Sequence, residues 1–97
     1  MLTIEPGLYH EGKFGVRIES VGTVIAHPKF NNFNCFSIVT RVPISPKLVE
    51  PSMLSKAEKM WLNEYNESCL ETLRPLLQKP EDAFVLSYLE KECTPIA

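Results

Sequence analysis

The chain predicts an α+β fold, a β-hairpin plus one further strand in its first half and two helices in its second. Three observations carry this. Residues 2–9 and 14–26 are strand-like runs separated by a short polar turn, Glu11-Gly12-Lys13. Pro28, Pro43, Pro46 and Pro51 keep any long helix out of the middle of the chain. Beyond them, Ser55-Lys56-Ala57-Glu58 has the form of a capping box ahead of an apolar stripe.

If a three-residue loop at Glu11, Gly12 and Lys13 closes the hairpin, antiparallel pairing sets His10 opposite Phe14, Tyr9 opposite Gly15 and Glu5 opposite Glu19. Side chains alternate along strands, so Gly7, Tyr9, Gly15 and Arg17 share a face with the two glutamates. Leu8, Phe14, Val16 and Ile18 point to the other face, which is expected to be core. Like charges opposite each other destabilise a strand pair, so something positive should lie between the glutamates. Arg17 and a metal ion are the two candidates.

The far end of the second strand, with Val21, Val24 and Ile25, is apolar on both faces and suits the interior of a sheet. Gly22 interrupts its β-branched run and is expected to loosen it. A two-stranded hairpin alone is marginal, so further strands are required. Residues 35–42, with Phe36, Ile38, Val39 and Val42, are the best further strand. Phe30, Phe33 and Phe36 recur every three residues with only Lys29 and Arg41 near them, which favours packing over base stacking.

The capping box opens a helix over about residues 55–74, with Trp61, Leu62, Tyr65, Cys69, Leu70 and Leu73 on one stripe, ending where Pro75 follows. A second helix over about residues 80–92 starts at Pro80, has Glu81 and Asp82 in its first turn, and carries Phe84, Val85, Leu86, Tyr88 and Leu89.

A chain of 97 residues allows one domain at most, with a modest core. A formal charge of −2 gives no basic excess for nucleic acid. No apolar run approaches the roughly 18 residues of a membrane span, and the amino terminus lacks a signal-peptide pattern, so a cytoplasmic location is expected. Cys35, Cys69 and Cys93 fit neither a disulfide framework nor a zinc site and are expected to be reduced thiols. His10 and His27 are unpaired and receive no metal role. Asn66-Glu67-Ser68 matches the glycosylation sequon by chance, within a helix.

The ordered string Glu5-Pro6-Gly7-Leu8-Tyr9, turn, Gly15-Val16-Arg17-Ile18-Glu19 closely resembles the C-terminal end of the catalytic domain of Xaa-Pro aminopeptidases (aminopeptidase P). These belong to the creatinase and methionine-aminopeptidase superfamily with the pita-bread fold. Pro43-Ile44, Lys47-Leu48, Glu58, Trp61-Leu62-Asn63, Tyr65 and Cys93-Thr94-Pro95-Ile96 are similar to the C-terminal extension of its longer members. The resemblance implies residues 1–26 as a catalytic-domain hairpin and residues 27–97 as an extension of the same domain.

It also implies two divalent ions, manganese first and zinc or cobalt as alternatives, held by two aspartates, one histidine and two glutamates. By motif position Glu5 is the terminal ligand on one ion and the general base, and Glu19 bridges both. Oxygen donors favour hard ions, and paired ions lower the pKa of a shared water. Arg17 and Tyr9 orient these ligands by hydrogen bonds. The implied reaction removes the N-terminal residue from peptides with proline in second position. The aspartate and histidine ligands lie upstream in the family and have no counterpart here. The chain is therefore expected to be a C-terminal fragment, inactive alone, whose partners are the upstream part of the catalytic domain and, through its open strand edge, a second copy in a homodimer. The alternative is a non-catalytic pita-bread scaffold or binding module.

Overall fold

In the computed structural model, which describes residues 1–97, the chain reverses at Glu11-Gly12-Lys13. The Lys13 N–H donates to the His10 carbonyl (3.0 Å), and Gly12 takes φ +68°, a left-handed conformation that costs glycine little. Five strands surround this turn and the next: β1 (Leu2–Ile4), β2 (Gly7–His10), β3 (Phe14–Arg17), β4 (Ser20–Ala26) and β5 (Asn34–Ile38). β2 pairs with β3 from His10↔Phe14 to Gly7↔Arg17, and β1 pairs with β4 from Ile4↔Ser20 to Leu2↔Gly22. Both ladders keep one register, paired residue numbers summing to 24. They are interrupted only beside Pro6, which accepts from the Ile18 N–H (3.2 Å) but has no N–H to return. The expected single hairpin is thus divided between a two-stranded sheet, β2-β3, and a three-stranded one, β1-β4-β5.

β4 is the central strand, as its two apolar faces require. Gly22 is buried and paired within this strand; a Cβ there would lie 3.4 Å from the Ser37 carbonyl oxygen and 3.5 Å from Ile38, ordinary packing distances, so the approach of β5 does not demand glycine. The β4–β5 turn is closed by His27 N–H to the Phe33 carbonyl (2.8 Å).

The face expected to be core is instead exposed: Leu8 is 65%, Phe14 62% and Val16 57% accessible. No helix or second sheet layer within this unit covers it. Phe30, Phe33 and Phe36 are exposed for the same reason.

The chain forms two compact units, Met1–Thr40 and Arg41–Ala97, where its length predicts one domain and the family resemblance a boundary at residue 26. The hydrogen bonds explain the position. Val39 N–H donates to the Val21 carbonyl, and Val21 N–H to Thr40 Oγ1, so residues up to 40 belong to the sheet. From Val42 onward the backbone bonds to helical side chains instead, and this is why β5 stops at Ile38 rather than continuing to residue 42.

In the second unit α1 (Lys56–Leu73) begins at Ser55, whose hydroxyl accepts from Glu58 N–H while Glu58 accepts from Ser55 N–H. α1 ends in a single 3-10 turn around Pro75, and another turn, Pro80–Asp82, leads into α2 (Ala83–Glu92). The two helices share a small core of Leu62, Cys69, Leu89 and Cys93. Cys69 and Cys93 are free thiols whose pKa values are pushed up by burial, which makes them poor nucleophiles. Trp61, expected in the stripe, is 59% exposed and stacks on Tyr65 instead. On α2 only Leu89 of the expected apolar set is buried, and Phe84 is almost fully exposed.

Two asparagines on α1 act as backbone substitutes. Asn66 accepts from Ile44 N–H (2.8 Å) and donates to the Ile44 carbonyl (2.9 Å), as a neighbouring strand would. Asn63 makes the same pair of bonds to Ile96, at 2.9 Å each. Asn66 is 2% exposed, so its amide nitrogen is closed to glycosylation. Tyr65 donates to the Val42 carbonyl (2.9 Å). Burial, then the neighbouring Cys69, pushes its phenol up to about 12.

Asn66→Ala removes both bonds to Ile44 and is expected to destabilise the second unit by about 2–4 kcal/mol. The single tryptophan, Trp61, lies in that unit, so urea unfolding followed by its fluorescence measures the change directly. Because the folded state favours the neutral phenol of Tyr65, that contribution is complete below pH about 10 and is lost as pH rises through about 12. Ultraviolet titration should show one tyrosine ionising near pH 12, a step missing in Tyr65→Phe.

Candidate functional site

The site is built on one face of the hairpin. The common register of the two ladders, counted across the break beside Pro6 where neither has a bridge, sets Glu5 against Glu19. On the same face Tyr9 pairs with Gly15 and Gly7 with Arg17. A Cβ on Gly7 would fall 2.3 Å from the Tyr9 hydroxyl, and one on Gly15 would fall 2.5 Å from Tyr9 Cδ1. The Tyr9 ring therefore lies flat across the hairpin in a slot that only two glycines leave open.

That placement fixes the next group. Arg17 Nε donates to the Tyr9 hydroxyl (2.6 Å), with the guanidinium carbon 5.7 Å from the ring centroid. Arg17 Nη1 donates to Glu5 Oε2 (3.0 Å). The Tyr9 hydroxyl, with the charges of Glu5 and Glu19 adding to it, raises the Arg17 pKa above its ordinary value. Of the two candidate positive groups, Arg17 is bonded to Glu5, and Glu19 acts on it through charge. Both members of the Arg17–Glu5 pair are substantially exposed, and solvent-screened pairs of this kind contribute little to stability. Orientation of Glu5 is its main effect.

Sequence reasoning placed Glu5, Glu19, Arg17 and Tyr9 on one face; in the structure Tyr9, Arg17 and Glu5 are joined by hydrogen bonds, while Glu19 enters only through its charge on Arg17. It missed Thr3, whose hydroxyl donates to Glu5 Oε1. The signal was present, since alternation puts residue 3 on the face of residue 5. It also gave no role to Gly7 and Gly15, which the bulk of Tyr9 demands.

Two facing carboxylates are hard, anionic oxygen donors of the type that divalent ions such as manganese or magnesium take. No three metal-binding side chains cluster anywhere in the chain, so Glu5 and Glu19 fit part of a metal site whose other ligands would come from elsewhere. A separate cavity of about 340 Å³, lined by His27, Phe30, Phe33 and Asn34, lies at the β4–β5 turn. Its one ionisable group, His27, already accepts the Lys29 and Phe30 N–H groups on Nδ1, so that atom is occupied as a turn cap.

A hairpin carrying Glu-Pro-Gly on one side of its turn and Gly-Val-Arg-Ile-Glu on the other, followed by a capped helical extension, defines a class of peptidase C-terminal segment. Residues 32–96 match the family described as the C-terminal region of peptidase M24, and the chain belongs to that family. Its relatives there are Xaa-Pro aminopeptidases. One from Drosophila melanogaster is 36% identical over 97 residues, covering 95% of this chain and 16% of its own length. The crystal structure of X-prolyl aminopeptidase from Caenorhabditis elegans, described as a cytosolic enzyme with a di-nuclear active site, superposes with a TM-score of 0.85 at 37% identity. That match covers 97% of this chain and 16% of the nematode chain. The chain thus spans about one sixth of the length of these relatives. The family match begins after the hairpin, whereas the matches to the relatives span nearly the whole chain and so take in the site.

Gly15→Ala is expected to lift Tyr9 from its slot and break its bond to Arg17. In nuclear magnetic resonance spectra the Arg17 Nε–H should lose its protection from solvent exchange, while the amides of β5 keep theirs.

Proposed function

We propose that this chain forms the C-terminal part of the catalytic domain of a dinuclear, metal-dependent Xaa-Pro aminopeptidase. The observation that supports it is the placement of Glu5 opposite Glu19, with Arg17 and Tyr9 ordered beside them. Like charges facing across a strand pair cost stability, and an exposed ion pair returns little of it, so the arrangement suits binding better than folding.

In this reading Glu5 would serve as a ligand to one ion and Glu19 as a ligand to both. Two bound divalent ions supply a water of lowered pKa and an electrophile for the peptide carbonyl. Glu5 would be the group that accepts a proton as general base. Arg17 holds Glu5 Oε2 in place, and Tyr9 holds Arg17. Manganese fits the oxygen donors best, with zinc or cobalt as substitutes. Two carboxylates alone cannot hold two ions tightly, so the remaining ligands, two aspartates and a histidine, come from residues other than these 97, and this chain alone is inactive. The substrates are peptides with proline in second position, and the site of action is the cytoplasm.

The test is made in the complete gene product that carries these residues. Glu5→Gln and Glu19→Gln should each lower kcat for an Xaa-Pro peptide by about 10²–10⁴-fold. Each should also reduce the bound metal, and a chelator should abolish the wild-type activity until manganese is restored. Full activity in Glu19→Gln, or cleavage of the peptide by the 97-residue chain alone, would overturn the reading.

A further inference from the structure

We infer that Thr3 is a positioning residue for the candidate metal ligand Glu5, an inference that rests on the reading just given. Thr3 lies in β1, paired with Val21, and alternation puts its side chain on the face that carries Glu5, Gly7 and Tyr9. Its Oγ1 donates to Glu5 Oε1, while Arg17 Nη1 donates to Glu5 Oε2 from the opposite strand. The carboxylate is therefore held at both oxygens by donors approaching from different strands.

With Arg17 alone, the carboxylate could pivot about Oε2 and sweep Oε1 through several orientations. The Thr3 hydroxyl removes that freedom. A carboxylate has about four lone-pair sites, so one donor on each oxygen leaves each oxygen able to accept a cation as well. The side chain is then ordered before any ion arrives, and less conformational entropy is lost on binding. Threonine suits the task because its branched Cβ restricts χ1, so the hydroxyl itself is aimed. Glu19 differs, since Arg17 acts on it by charge. Glu5 is thus the member of the pair held by hydrogen bonds.

The experiment compares Thr3→Val, Thr3→Ser and Glu5→Gln in the complete gene product, by competition of manganese with a chelating dye and by the melting temperature of the metal-free protein. Thr3→Val keeps the shape and loses the donor, and should weaken manganese binding by about tenfold or more. Thr3→Ser should stay within about threefold of wild type, and the metal-free melting temperatures of all three should agree. Wild-type affinity in Thr3→Val alongside weak binding in Glu5→Gln would overturn the role of Thr3 and leave the site intact. A fall in metal-free melting temperature that tracks the affinity would overturn it too, as a strand-packing effect. Wild-type binding in Glu5→Gln would sink the metal site itself.

Discussion

The register of the first hairpin is the constraint on which the candidate site depends. Once Lys13 N–H has closed the loop on His10, every pair on one face follows: Tyr9 with Gly15, Gly7 with Arg17, Glu5 with Glu19 and Thr3 with Val21. A slip of one residue would send this set to opposite sides of the sheet. The continuity across Pro6 is therefore more informative than either ladder alone, because it carries the register from the turn to the carboxylates through a position with a single hydrogen bond.

From that register the groups constrain one another in sequence. Two glycines open a slot, the slot seats Tyr9, Tyr9 seats Arg17, and Arg17 seats Glu5. None of these contacts is buried enough to contribute much to folding. Together they orient the Glu5 carboxylate beside Arg17 on that face.

Much of this was legible in the sequence because strand alternation and turn length are short-range properties. Glu5, Tyr9, Arg17 and Glu19 could be placed on one face by counting from Gly12. The start of α1 was legible from Ser55 and Glu58 for the same local reason. What counting could not supply was the environment of each face. Leu8, Phe14 and Val16 read as core by pattern, yet burial needs a second layer that pattern does not provide. The strand at residues 35–42 was read too long, because the backbone of Val42 and Ile44 bonds to Tyr65 and Asn66, twenty-two or more residues later. Asn66 was read only as part of a chance sequon within a helix, and its partners show why a buried amide is tolerated there.

Asn63 and Asn66 stand three positions apart on α1, near enough to one turn that each reaches its own extended segment, Ile96 and Ile44. One residue more or fewer between them would rotate one amide by about 100° about the helix axis and release its segment. The spacing of this pair therefore bears an exchange of letters more easily than a change of length.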